Sequence, residues 1–424
     1  MTAEARASTS GKPDPVPGTP SPAPAALGTS TPDAPTREDM GLESASSGRD
    51  RYLDLLRAIA LVRIVAFHTF FQAVWLSVVF PSMGVMFALA GSLMARSLQR
   101  PAADVLKSRA RRLLLPLWAY SLTVVTALVV QGWRPEPGDT GGWWLRILLW
   151  LVPIGDPPFP ESIGSDAGLT ETSWGMESAD ILWYIRAYFW FVLLSPLLLK
   201  AFRRLPWVTL MAPLGLVAVL GLEIVVIPGA IDSPATDFAT YGACWILGFA
   251  YHDGLLRRVP FRIVLTAALA IMGLGLLWVW SHLEEFGWDL GVNPLGQALW
   301  SFGVCALLLR ISPSWSLLPR PLRFLDKVIA LINNRAITMY LWHNLVLIAS
   351  VPLIDLLWNL PVLEENLPWL LESELLQFIV VWPLLGLVFL AIGWIEDVAA
   401  KRRPRLWPTA AQGKGLSGKA TTTP

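Results

Sequence analysis

Charge is scarce in this chain. Only 15% of its 424 residues are Asp, Glu, Lys or Arg, while 54% are hydrophobic, and the mean hydropathy is +0.51. A soluble domain carries about a quarter charged residues, so a water-surrounded globule is excluded. Cysteine is nearly absent. Cys244 and Cys305 both stand in apolar segments, where a free thiol behaves as a small hydrophobe, so neither a disulfide framework nor a metal centre is expected. No basic run interleaved with aromatic residues occurs in a polar segment, which argues against a nucleic-acid partner. A basic start followed by an apolar core is also missing, which argues against a signal peptide. No internal repeat is visible, and many secondary transporters are built from repeats.

What the chain does have is long apolar runs. About 20 apolar residues cross a bilayer core, and ten segments satisfy that rule: 53–76, 80–98, 112–131, 180–202, 207–228, 235–252, 261–282, 294–311, 335–358 and 375–397. The stretch from Trp143 to Pro153 is apolar but too short, and suits an interfacial or re-entrant segment. The 22 tryptophans fit a protein with two membrane interfaces. The expected fold is an all-α integral membrane protein, a bundle of about ten transmembrane helices. Residues 1–48 are rich in Pro, Ser and Ala with almost no large apolar side chains, and cannot bury enough surface to offset their ordering entropy. They are expected to be a disordered tail, as are residues 403–424, leaving 49–402 as the membrane domain.

Loop charge orients the bundle. With the N-terminus in the cytoplasm, one set of loops holds Lys107, Arg109 and Arg111, then Arg203 and Arg204, Arg257 and Arg258, Arg320 and Arg323, and finally Lys401 to Arg403. The opposite set holds Arg134 and Arg146 as its only Lys or Arg, beside acids that include Glu136, Asp139, Asp156, Glu171 and Asp289. Cytoplasmic loops accumulate Lys and Arg. The expectation is therefore N-in, C-in, in a cell membrane.

Ionisable groups within the apolar segments are costly and mark function by default. His68 lies ~20 Å into the first segment at 1.5 Å rise per residue, and its ordinary pKa lies near neutrality. Asp54, Arg57 and His68 share one helical stripe, which should face protein or a cavity. Arg63 points away and is read as a structural partner. Arg186 in the fourth segment is level with His68. Glu223 is ~24 Å up the fifth, and His343 ~12 Å into the ninth. Arg186 and Glu223 can be helix-locking partners or substrate contacts; His343 suits structure or substrate orientation. Arg109 and Arg112, three apart at an expected helix start, lie on one face and could cradle phosphate.

These residues resemble the acyltransferase 3 family of bacterial inner-membrane proteins. The similarity begins at Tyr52-Leu53-Asp54-Leu55-Leu56-Arg57 and closes its first block at His68. It continues through Val85–Leu93, where Ala90 stands in place of the usual Ser. Arg109-Ala110-Arg111-Arg112 is similar to the family's Arg-x-x-Arg motif. Leu182–Arg186 with Leu194-Ser195-Pro196 resembles the fourth-span block, and Thr338–His343 the late histidine block. The resemblance spans about residues 49–400. It implies transfer of an acyl group, often acetyl, from cytosolic acyl-CoA to a hydroxyl of a glycan, lipid or secondary metabolite. It further implies His68 as the catalytic centre and Arg109 with Arg112 as binders of the CoA phosphates. The expected geometry is a continuous void from those arginines to His68, with acceptor recognition by the loop 132–179 around Trp143 and Trp144. The rival expectation is a transporter or lipid flippase in which His68, Arg186 and Glu223 form a polar path.

Overall fold

The structure is a computed structural model. It describes residues 50–407 except 72, 136, 137, 139, 162, 164–168 and 170–172. The expected tail 1–48, most of the expected tail 403–424, and Glu136, Asp139 and Glu171 thus lie outside the described residues.

All regular structure among the described residues is helical. Ten helices reach 16 residues or more: α1 (Arg51–Thr69), α2 (Ser82–Ser97), α3 (Ala102–Val130), α4 (Leu182–Arg204), α5 (Pro206–Gly221), α6 (Asp232–His252), α7 (Phe261–Ser281), α8 (Pro294–Ile311), α9 (Ala336–Trp358) and α10 (Glu374–Ile392). Each falls on one of the ten apolar segments. Seven helical stretches among the described residues are long and apolar enough to cross a membrane: α3, α7, α8, α9, α10, the stretch Leu76–Ser97 that includes α2, and Trp174–Arg204 that includes α4. The other three differ for separate reasons. α5 is apolar but short. α1 carries Arg51, Asp54, Arg57 and Arg63. α6 is more polar and lies inside the bundle, with every residue from Ala239 to Ala250 buried. A helix enclosed by protein need not present a uniformly apolar surface.

α6 is the hub, packed on α2, α4, α5 and α8. Its crossing with α2 is backbone against backbone. A Cβ on Gly91 would collide with the Trp245 carbonyl, and one on Gly248 with the Ala88 carbonyl. Small residues permit such approach in membrane bundles. α1 lies against α2 and α9, while α7 packs on α8 and α10 on α9.

Several boundaries correct the sequence reading, and two of them move candidate residues. α3 begins at Ala102, because Pro101 precedes it as the capping residue and Pro is well suited to a helix start. Arg109 and Arg112 therefore lie well inside the helix, and its free backbone N–H groups are not beside them. α5 ends at Gly221, so Glu223 lies in the following loop, exposed and with φ +55. It is not part of a helix. α1 stops at Thr69, after which the Phe70 carbonyl accepts from the Ala73 backbone N–H at 2.9 Å. α10 stops at Ile392, and a short helix, Trp394–Ala399, follows Gly393. The short segment expected at 143–153 becomes the helix Thr140–Ile147 and the turn Leu148–Trp150. That turn is tied to α3 by the Ser121 hydroxyl, which donates to the Trp150 carbonyl at 2.6 Å.

Candidate active site

The stripe on α1 reaches two separate cavities. Arg57 lines one and His68 the other, ~17 Å apart along the helix at 1.5 Å per residue. Asp54, at the start of the stripe, is buried and pairs with Arg51 at 3.2 Å, and Arg51 also pairs with Asp326. The Asn333 side chain donates to the Asp54 carbonyl at 2.9 Å. Asp54 thus fixes the lower part of α1 to the helix Asp326–Asn334 and lines neither cavity.

The arginine cavity, about 400 Å³, contains Arg57, Arg109, Arg112 and Arg402 with Glu396 as its only carboxylate. Its formal charge is +3. Arg109 donates to the Leu93 carbonyl at 3.2 Å and the Ser97 hydroxyl at 2.8 Å, which ties α3 to α2. Arg112 is exposed, lines the cavity and makes no hydrogen bond to the described residues, so its guanidinium is available to a ligand. Glu396 accepts from the Thr338 backbone N–H at 2.6 Å, and Arg402 pairs with Asp397 at 3.3 Å.

The His68 cavity, about 620 Å³, has the opposite sign. Asp156, Asp180, Asp237 and Asp289 face Arg63 and Arg186, a formal charge of −2. Arg186, almost wholly buried, is held by Asp156, by Asp237 and by the Ser233 hydroxyl at 2.7 Å. It lines the same cavity as His68, but most of its fork is already engaged. Arg63 donates to the Leu76 carbonyl and to the Ser77 hydroxyl, and its guanidinium lies 4.7 Å from the Phe67 ring centroid. It is a helix-connecting group, as read from the sequence, yet it also lines this cavity. The loop 132–179 contributes Asp156, Pro157, Phe159, Met176 and Ala179 rather than Trp143 and Trp144. Trp143 instead packs against Trp133 at 5.3 Å.

His343 lies closer to His68 than rise from a helix end suggested: the ring centroids are 4.9 Å apart. The reason is that α9 starts inside the bundle, where the Glu396 side chain caps Thr338. His343 Nδ1 lies 2.6 Å from the Tyr340 carbonyl. A carbonyl can only accept, so Nδ1 carries the proton and Nε2 presents a lone pair. That Nε2 is buried without a hydrogen-bond partner among the described residues.

The expected continuous void is not found. The two cavities share no lining residue. They come within one helical turn of each other, since Met83 lines one and Met86 the other. Aromatic rings stand between them. Tyr184 and Tyr340, both lining the arginine cavity, have centroids 4.8 Å apart, and Tyr340 lies 5.7 Å from His343. The Tyr340 hydroxyl donates to the Ile181 carbonyl at 2.7 Å, which fastens this septum to the start of α4. Glu223 lines neither cavity.

The site thus joins His68, His343 and Arg186, and separately Arg57, Arg109 and Arg112. Sequence reasoning missed Asp180, Trp183, Asp237 and Tyr241 as cavity residues. Asp237 carried a signal, an acid within an apolar segment, but Trp183 and Tyr241 are aromatic residues of a kind every membrane helix contains.

Neither the curated proteins nor the solved structures provide a match to this chain. A sequence model of the acyltransferase domain that defines the acyltransferase 3 family matches residues 50–395, which include all ten long helices, the whole lining of the His68 cavity and that of the arginine cavity except Glu396, Ala400 and Arg402, and the chain belongs to that family.

Proposed function

We propose that the protein is a membrane-bound O-acyltransferase that moves an acyl group, acetyl in the first instance, from cytosolic acyl-CoA to a hydroxyl of a glycan, lipid or secondary metabolite. The observation that carries this reading is the charge inversion between two neighbouring cavities, the second of which His68 lines. A cavity of formal charge +3 suits the phosphates of CoA, and one of formal charge −2 does not. Arg112, Arg109 and Arg57 would hold the phosphates by charge-assisted hydrogen bonds. The pantetheine arm would then enter between Tyr184 and Tyr340, parting the septum and bringing the thioester to His68.

The proposed topology is ten spans with both termini in the cytoplasm, which puts the arginine cavity on the cytoplasmic side and the His68 cavity on the outer side of a cell membrane. His68 takes the proton of the acceptor hydroxyl as general base. The new O–C bond forms, the thioester C–S bond breaks, and the imidazolium returns the proton to the CoA thiolate. His68 makes no hydrogen bond to the described residues, so its imidazole is available for this exchange. An alternative order, with the acyl group resting on His68 between donor and acceptor, uses the same residues. The transporter reading loses a member of its path, because Glu223 is exposed in a loop.

The test is thiol release from acetyl-CoA by purified protein in lipid nanodiscs with a panel of hydroxyl acceptors. Acceptor-dependent thiol release that disappears in His68→Ala supports the proposal. Acceptor movement across a vesicle membrane without thiol release would overturn it in favour of transport.

A further inference from the structure

The His68 cavity contains more negative charge than its arginines neutralise. Asp156 and Asp237 are both occupied by Arg186. Asp180 forms no ion pair with the described residues, and Asp289 only accepts from the Gly291 backbone N–H at 2.7 Å. Arg63 is directed to a carbonyl, a hydroxyl and a ring rather than to a carboxylate. Two carboxylates, Asp180 and Asp289, therefore face the cavity without an ion pair among the described residues, although the Arg63 charge is near enough to Asp289 to act on it. Trp183 and Tyr241, stacked at 5.4 Å and 24°, form an aromatic wall of the same cavity, and aromatic faces attract cations. An independent feature points to a polar ligand. Ser82 at the start of α2 is 1% exposed, lines the cavity, and has a hydroxyl with no hydrogen-bond partner among the described residues. Buried hydroxyls in folded proteins are almost always paired, so this one awaits a partner within the cavity.

We propose that the acceptor is a hydroxyl compound bearing a protonated amine, an amino sugar or amino alcohol, with its ammonium held by Asp180 and Asp289 against the Trp183–Tyr241 wall and a polar group on Ser82. This rests on the acyltransferase reading above and specifies its acceptor. The chemistry is self-consistent. Carboxylates beside an amine favour its charged form, and an ammonium has no lone pair with which to attack a thioester. The hydroxyl is then the nucleophile: its proton goes to His68, its oxygen bonds the acyl carbon, and the C–S bond breaks. The product is an O-ester with the amine intact.

The experiment is equilibrium dialysis of the full-length protein in lipid nanodiscs, with empty nanodiscs as background, against p-nitrophenyl glucosaminide and its N-acetylated form. The two probes differ in the charge at one nitrogen. The amine form is expected to bind about tenfold more tightly, the equivalent of about 1.4 kcal/mol, and the preference is expected to vanish in the Asp180→Asn, Asp289→Asn double variant. Asn keeps the size of both side chains and the acceptor for Gly291. Equal or better binding of the N-acetylated probe would overturn the proposal. So would absence of saturable binding of the amine, or a preference that survives in the double variant. With acetyl-CoA present, the amine probe should yield an O-acetyl product by NMR, and an N-acetyl product would also overturn it. The two readings fail separately. Amine preference without thiol release counts against acyl transfer alone, and thiol release with no amine preference counts against the ammonium site alone.

Discussion

Arg112→Ala isolates the proposed CoA site. Arg112 contributes one of four positive charges to the arginine cavity and has no hydrogen bond to the described residues, so its removal leaves no broken internal contact. A hydrogen bond to a charged group is worth roughly 1.5–3 kcal/mol. The Coulomb attraction of unit charges 4 Å apart at an effective dielectric of 20 is about 4 kcal/mol, an upper bound for an exposed group that solvent screens. At ~1.4 kcal/mol per tenfold, the Kd for CoA should rise about 10- to 100-fold. Titration calorimetry on nanodisc-embedded protein measures it directly, without an acceptor. The loss should shrink at high salt, because exposed charge is screened within ~10 Å at 0.1 M. Lys107→Ala is the matched control: it removes an exposed charge from the same helix outside the cavity and should shift the Kd by less than about threefold. Arg109→Ala is less informative, since Arg109 also ties α3 to Leu93 and Ser97. A CoA affinity unchanged in Arg112→Ala, or lowered equally by Lys107→Ala, refutes a phosphate site in this cavity.

Four further outcomes are expected. His68→Ala should lower acceptor-dependent thiol release by about 10²–10⁴-fold with CoA affinity retained; a smaller loss in stopped assays removes the general-base role. Arg186→Met strands Asp237 and Asp156 and should cost about 3–5 kcal/mol, seen as a lower unfolding temperature in detergent; an unchanged temperature means the pairs do not hold α4, α6 and the 148–159 loop together. Gly248→Leu drives a side chain into the α2 backbone and should destabilise by about 1–3 kcal/mol or more, which detergent-resistance assays can read. Tyr340→Phe removes the hydrogen bond to the Ile181 carbonyl. The septum should then part more readily and acceptor-independent hydrolysis of acetyl-CoA should rise, while unchanged hydrolysis would count against Tyr340 as a barrier.

The helical frame was legible because lipid imposes a single pattern, and each apolar segment became one long helix. The stripe of Asp54, Arg57 and His68 was legible from helical phase alone. Depth was less so. Counting 1.5 Å per residue placed Glu223 inside the membrane, but it assumes that a helix continues to the end of an apolar run. Val225, Val226 and Ile227 extend that run beyond Gly221 without extending α5. The same assumption separated His343 from His68, because nothing in the local sequence says that α9 begins within the bundle. Arg109 and Arg112 were correctly grouped and wrongly given a helix N-terminus; the arginines of their site come from three separate segments, α3, α1 with Arg57 and the end of the domain with Arg402.

The continuous void failed for a different reason. Phase and depth locate ionisable groups, whereas a passage is defined by what does not fill it, and Tyr184 and Tyr340 are unremarked aromatic residues in sequence. Their position has a physical logic on the acyl-transfer reading. A water-filled path from Arg112 to the Asp180 side would join two aqueous phases through groups of opposite charge, and would conduct ions whenever substrate was absent. Aromatic rings 4.8 Å apart, pinned by one hydrogen bond to Ile181, keep the hydrocarbon barrier intact at rest. A hydrogen bond of this kind contributes only about 0.5–1.5 kcal/mol net, well within what binding of a polyanionic donor to a +3 cavity supplies. The donor that needs the passage would therefore also provide the free energy to open it.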